Sequence, residues 1–183
     1  AKFKENNEGK SSEFKLFEAV NGKELTMEKL REKNFDTDKD WRDPILNRVL
    51  TWGEIGCFIS HYSVWEMVSQ GTEPVLVLED DVILDRPVRE ILPYLGGHEF
   101  LYLTHVEMSP NGVKPINEDL ITPCYPYHLA AYILTPAAAK KLIGTDIRNN
   151  IIPCDEYVPR MLDRIDVAAF KNPVARQLPR EVL

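Results

Sequence analysis

The hydrophobic pattern changes period along the chain. Between Thr51 and Gly71, apolar residues recur at steps of three and four (Ile55, Phe58, Ile59, Tyr62, Trp65, Val68), which predicts an amphipathic helix lying on a sheet by that face. Its start is marked by Thr51 and Glu54, spaced as a capping box, and Gly71 marks its end. At Val75–Leu78 the pattern becomes a continuous apolar run bounded by Pro74 and acids; such a run predicts a central strand buried on both faces by helices. Further strands are expected at Phe14–Val20, Phe100–Leu103, Leu120–Cys124, Leu129–Leu134 and Val167–Phe170. Helices are expected at Met27–Lys33, after Asp85 as cap with Pro87 in the first turn, and after Thr135-Pro136, closed by Gly144. Asn21-Gly22 reads as a turn that uses positive φ. Residues 34–48 read as an irregular segment that lines a cleft or is simply solvated, and residues 107–119 as a polar loop long enough for a lid. Residues 1–13 and 172–183 show no period and are expected to be loosely ordered ends of a single domain.

The chemistry concentrates where the apolar run stops. Glu79, Asp80 and Asp81 follow Leu78 directly, and the run then resumes as Val82-Ile83-Leu84. Ionised carboxylates are costly to bury without compensation, so these three belong at the exit of the strand, facing the crevice where α/β sheets bind ligands. If the extended backbone continues, Glu79 and Asp81 share one side and Asp80 takes the other. Two like charges side by side call for a counterion, and oxygen-only ligands suit Mn²⁺ or Mg²⁺, which share their remaining positions with water and substrate phosphates. An inert, solvated acidic turn is the plain alternative. A receiver domain is disfavoured, because there the acidic strand end opens the chain. The second acidic spot is Asp155-Glu156 after Pro153-Cys154; Asp155 is expected at or near an N-cap, where the helix end would keep it ionised. His61 interrupts the apolar face of the long helix, as a structural residue or a catalyst, and His105 follows the strand at 100–103.

Composition narrows the partners. With a net charge of −7 and a pI near 5.2, the chain lacks the broad basic surface that grips nucleic acid. Cys57, Cys124 and Cys154 are odd in number, widely separated and form no C-x-x-C pair, so neither a disulfide framework nor a zinc site is indicated and a reducing cytoplasm is the expected setting. No stretch approaches 18 apolar residues, so no membrane span is expected and membrane contact would be peripheral.

Four blocks in order resemble glycosyltransferase family 25, which comprises bacterial lipooligosaccharide β-galactosyltransferases and animal procollagen galactosyltransferases. They are Phe17–Gly22, Leu50–His61, Val77–Val82, and Ala131–Pro136 with Asp155-Glu156 downstream. The resemblance implies a GT-A type, Rossmann-like nucleotide-diphosphosugar transferase fold. It implies inversion at the sugar carbon, with galactose or glucose from a UDP-sugar as the expected donor; the acceptor hydroxyl, of a glycan, a protein or a modified nucleobase, is left open. It further implies a divalent metal held by Glu79 and Asp81, with Asp80 at the metal or the ribose. Gly53, Glu54, Ser60 and His61 are placed in the active-site wall, and Asp155 or Glu156 is the candidate general base. Family members begin with an apolar strand carrying an Asn-Leu-Asp-like signature and an Arg; residues 1–13 supply neither, so the fold is expected without its first strand and a non-catalytic binding module is the rival reading. A phosphoryl-transfer enzyme is weaker still, since no Gly-rich phosphate loop accompanies the acids.

Overall fold

The computed structural model describes residues 2–11 and 13–178. The chain opens with α1 (Lys2–Asn6) and α2 (Met27–Glu32), followed by the long α3 (Trp52–Ser69). Then come β1 (Val75–Leu78), β2 (Val82–Leu84), the single turn α4 (Val88–Ile91), β3 (Phe100–Tyr102), β4 (Val106–Glu107), β5 (Lys114–Pro115), β6 (Leu120–Thr122), β7 (Pro126–Tyr127) and β8 (Ala131–Leu134). Finally α5 (Pro136–Ile143), the single turn α6 (Cys154–Tyr157), β9 (Val167–Phe170) and β10 (Ala175–Gln177) complete it. The main sheet runs β1-β8-β3-β9-β6-β5, with β3 and β9 parallel and the other neighbours antiparallel. The result is a mixed α/β fold built on a mixed sheet, consistent with a glycosyltransferase fold.

The alternation of side chains across this sheet divides the core. Phe100, Tyr102, Tyr132 and Leu134 face the apolar side of α3 and α5, while Leu101, Ala131 and Ile133 face a second cluster built from β2, α4 and the segment leading into β10. β8, β3 and β9 are therefore the strands buried on both faces, every residue in them being buried. β1 is not. Among the described residues it pairs with β8 alone, at the edge of the sheet, and all four of its residues are half-buried. A continuous apolar run does not distinguish a centre strand from an edge strand that has helices above and below.

The long helix forms as its caps predict. The Thr51 hydroxyl accepts from the Glu54 backbone N–H, and the Glu54 carboxylate accepts from the Thr51 N–H, a complete capping box. The hydroxyls of Thr26 and Thr135 accept from the Lys29 and Ala138 N–H groups and so cap α2 and α5, without a reciprocal carboxylate, and Gly144 closes α5. Several expected features come out differently. Phe14–Val20 forms no strand. Its backbone runs along the start of α3, where Val20 N–H donates to the Ser60 hydroxyl and the Cβ position of Gly56 lies 2.9 Å from the Val20 carbonyl oxygen. Gly22 is needed for close approach rather than for positive φ: a Cβ there would lie 2.3 Å from the Trp52 carbonyl oxygen. Asp85 caps no helix; it pairs with Arg176, and Pro87 takes the cap position of α4, which passes into a 3₁₀ turn at Leu92–Leu95. Residues 107–119 are no free lid, because the Glu107 carboxylate accepts from the N–H groups of Ser109, Cys124 and Tyr125, and β5 pairs with β6.

Both ends of the described chain are also tied down. Asn7, although polar, is 1% exposed; its amide donates to the Val82 carbonyl and accepts from the Leu84 N–H, so it extends the hydrogen bonding of β2. On the other side of β2 lies β10, in register Ala175 to Leu84 through Gln177 to Val82. The described parts of the two ends, expected to be loose, make these contacts with β2; residues 1, 12 and 179–183 lie outside the described residues. Isolated polar and Pro-containing segments carry no period, but a groove lined by unpaired backbone groups orders them.

Candidate active site

The acids after β1 form a turn. Glu79 N–H donates to the Ala130 carbonyl, and Val82 N–H closes back onto the Glu79 carbonyl, so the turn is fixed to the loop before β8. Glu79 and Asp81 are half-buried and turned to one side, while Asp80 is exposed. The amide of Gln177, at the end of β10, donates to Glu79 Oε2 at 3.0 Å and to both Asp81 carboxylate oxygens at 3.3 Å. Burial pushes the Asp81 carboxyl up, the Gln177 amide offsets part of this, and the charges of Glu79 and Asp80 add to it. The pair is an all-oxygen donor set already bridged by a hydrogen-bond donor, which is the environment a hard divalent cation fits. Gln177 lies in a tail with no readable period, so only the pairing of β10 with β2 brings it here.

His61 holds the same carboxylate from the opposite side. Its ring is buried on α3, with Nδ1 2.9 Å from the Tyr132 hydroxyl and Nε2 3.5 Å from Glu79 Oε1. Trp65 Nε1–H donates to the same Tyr132 oxygen at 3.1 Å. The buried Tyr132 O–H then finds its acceptor in His61 Nδ1, which leaves the proton of a neutral ring on Nε2, facing Glu79. A charged ring also carries a proton there. Burial opposes that charge, whereas Tyr132, Cys57 and Glu79 favour it, and the ring's pKa lies well above its ordinary value. In both states an N–H points at Glu79, so His61 orients the acid.

Asp155 approaches this assembly from α6. Pro153, not Asp155, is the N-cap residue of that turn. Asp155 is half-buried, and burial, reinforced by the negative charges of Cys57 and Glu79, raises its carboxyl to about 6 despite opposing contributions from His128 and His61. Its proton affinity is thus raised rather than lowered at this helix start, because desolvation outweighs one turn of helix dipole. Its neighbour has another role. Glu156 is buried, accepts from Trp41 Nε1 at 3.0 Å and pairs with Arg160 at 3.3 Å. That contact anchors the irregular 34–48 segment, whose Trp41 is a core residue.

The remaining expected site residues stabilise the fold locally. Glu54 is held by Arg48 at 2.7 and 2.9 Å as well as by the capping box. Ser60 donates to the Gly56 carbonyl and accepts from Val20. Gly53 is exposed on the first turn of α3, with nothing nearer its Cβ position than Thr51 Oγ1 at 3.8 Å. Tyr127 joins the two neighbourhoods: burial and the charges of Asp155, Glu156, Glu54 and Asp43 push its phenol up to about 12. His105 ends beside Tyr102 with a buried Nδ1 that has no hydrogen-bond partner among the described residues. Cys57 and Cys154, 97 positions apart, meet at 3.6 Å between sulfurs, where spacing alone suggested no pairing. A separate concavity of about 620 Å³, lined by residues including Glu99, Lys114, Lys141 and Asp166, contains none of these groups.

The model of glycosyltransferase family 25 (LPS biosynthesis protein) matches residues 1–158, which include Glu79, Asp80, Asp81, Asp155 and Glu156. The chain belongs to glycosyltransferase family 25. It is 34% identical over 172 residues to a human protein named procollagen galactosyltransferase 2, covering 87% of this chain and 28% of that one. It is 35% identical over 158 residues to a glycosyltransferase 25 family member of Aedes aegypti, covering 81% and 26%. It is also 32% identical over 180 residues to a human protein named inactive glycosyltransferase 25 family member 3, covering 92% and 30%. The chain thus spans less than a third of the length of these relatives. Among the described residues no helix is long and apolar enough to cross a membrane.

Proposed function

We propose that this family 25 domain is a metal-dependent, inverting hexosyltransferase that moves galactose or glucose from a UDP-sugar to an acceptor hydroxyl. The observation that supports the reading is that Asp155 lies near enough to Glu79, Cys57 and His61 to feel their charges. Asp155 is a carboxyl with no hydrogen-bond partner among the described residues and a pKa of about 6, and Glu79 is an acid oriented by His61. Glu79 and Asp81 would hold Mn²⁺ or Mg²⁺, with Asp80 nearby at the metal or the ribose; the metal supplies Lewis-acid stabilisation of charge on the departing diphosphate. Asp155 takes the proton of the acceptor hydroxyl as its oxygen attacks the anomeric carbon from the face opposite UDP, and a pKa near 6 leaves it ionised yet basic at neutral pH. Glu156 is too firmly engaged with Trp41 and Arg160 for that role.

A relative named inactive, similar to this chain to nearly the same degree as the one named a galactosyltransferase, keeps a second reading in play: a domain that binds donor or partner without transferring sugar. One experiment separates them. UDP release from UDP-galactose and UDP-glucose is followed with Mn²⁺ and with EDTA, beside calorimetric UDP binding under the same two conditions. Metal-dependent release supports the transferase, and metal-dependent UDP binding without release supports the binding domain. Equal UDP affinity with metal and with EDTA removes the metal bridge from either reading.

A further inference from the structure

Neither thiol next to Asp155 takes part in the proposed transfer. Cys57 sits in the middle of α3, one turn before His61, and is half-buried; Cys154 is the first residue of α6, directly before Asp155, and is 4% exposed. Their sulfurs are 3.6 Å apart, in van der Waals contact, roughly 1.5 Å beyond a covalent S–S bond of about 2.05 Å. The two sides differ in stiffness. α3 is an 18-residue helix with a complete capping box, whereas α6 is a four-residue turn with no side-chain cap, so a small movement of α6 suffices to close the gap.

We propose that Cys57 and Cys154 are a modification site, a dithiol that a peroxide-class oxidant converts to a reversible disulfide. Cys57, the more accessible sulfur, loses its proton and attacks a peroxide oxygen as its thiolate, breaking the O–O bond; one oxygen stays on the sulfur as the sulfenic acid and the other leaves as hydroxide, which takes up the proton the thiol released and becomes water. The Cys154 sulfur then attacks the Cys57 sulfur, the S–O bond breaks, and the hydroxyl leaves with the Cys154 proton as a second water. Two electrons pass from the two thiols to one hydrogen peroxide, so the sum is two thiols and one peroxide to one disulfide and two waters. The contact between Cys57 and Cys154, together with His61, favours the thiolate at Cys57 and disfavours it at Cys154, which matches these roles of attacker and resolver.

The same two sulfurs and a His61 nitrogen lie within 4.8 Å of one another, a grouping that also suits a thiophilic cation. The hydrogen bonding of His61 argues for the disulfide instead. Nδ1 is taken by Tyr132 and Nε2 carries its proton toward Glu79, so the ring presents no free lone pair to the sulfurs. Oxidation would tie the first turn of α6, and Asp155 with it, to α3.

The test reads thiols, so it stands or fails independently of sugar transfer. The reduced chain is treated with one equivalent of hydrogen peroxide, alkylated, digested without reductant and mapped by mass spectrometry, with the exposed Cys124 as internal reference. The expected product is a linked Cys57–Cys154 peptide two hydrogens lighter than its parts. Cys124 is alkylated, dithiothreitol reverses the link, and the oxidised chain melts at a higher temperature than the reduced one. Cys57→Ser and Cys154→Ser should each abolish the link and the melting shift, whereas Cys124→Ser should preserve both. Dimers joined through Cys124, over-oxidised Cys57 with no linked peptide, or protection from alkylation that EDTA reverses would each overturn the proposal; because the wild-type map carries the result, a serine variant that fails to fold does not blunt it.

Discussion

The acidic turn after β1 and the acidic pair that opens α6 carry similar charge but are held in opposite ways. At the turn, Glu79 and Asp81 are half-buried, face one side and are drawn together by amide and imidazole N–H groups from distant parts of the chain. At α6 the two carboxylates part company: Glu156 is buried and committed to Trp41 and Arg160, and Asp155 is partly desolvated, with no hydrogen-bond partner among the described residues. Shared donors concentrate negative charge where a cation can neutralise it, whereas desolvation of one isolated carboxyl raises its proton affinity. One arrangement gathers charge; the other raises the proton affinity of a single carboxyl.

The sharpest way to break this comparison is Asp155→Asn. Transfer should fall by roughly 10²- to 10⁴-fold, the worth of a positioned base, while calorimetric UDP and metal binding stay as in the parent. An equal fall for Glu156→Gln, with Asp155→Asn unaffected, would exchange the roles assigned to the two neighbours.

The pH dependence of stability comes next in size. Because the folded carboxyl of Asp155 titrates at about 6, above its unfolded value, the folded state holds the proton more tightly. The resulting contribution is present below about pH 4 and is lost as pH rises through about 6, with a ceiling of roughly 3 kcal/mol for two pKa units. Chemical denaturation between pH 4 and 7 should show this slope in the parent, and Asp155→Asn should flatten it. The transfer rate should rise over the same interval, as the base loses its proton.

Glu156→Ala leaves the buried Trp41 N–H unpartnered and should cost about 1–3 kcal/mol, read as a lower denaturation midpoint, with the irregular 34–48 segment becoming sensitive to protease. Gln177→Ala sits at the small end. Its exposed amide contacts should be worth under about 1 kcal/mol of stability, but metal titration should show the two acids binding cation no more weakly, since the metal replaces the lost donor. A large loss of metal affinity would make Gln177 a working part of the site instead of a tether.

What could be read in advance was local. The capping box at Thr51, the steps of three and four through Val68, Thr135-Pro136 with Gly144, and the acids after an apolar run are each decided by residues within a turn or two of one another. Sequence therefore determined α3, α5 and the strands β1, β3, β8 and β9, and it placed the acidic turn at a strand exit. The four motif blocks determined the family. Tertiary structure decided everything that depends on which distant groups meet. It made β1 an edge strand, seated Asn7 and β10 on either side of β2, delivered Gln177 to the acids, and set Cys57 against Cys154. It also separated Asp155 from Glu156: adjacent carboxylates look alike in a sequence, but one accepts from Trp41 while burial raises the proton affinity of the other, and burial and partners are properties of the packed chain, not of the residue.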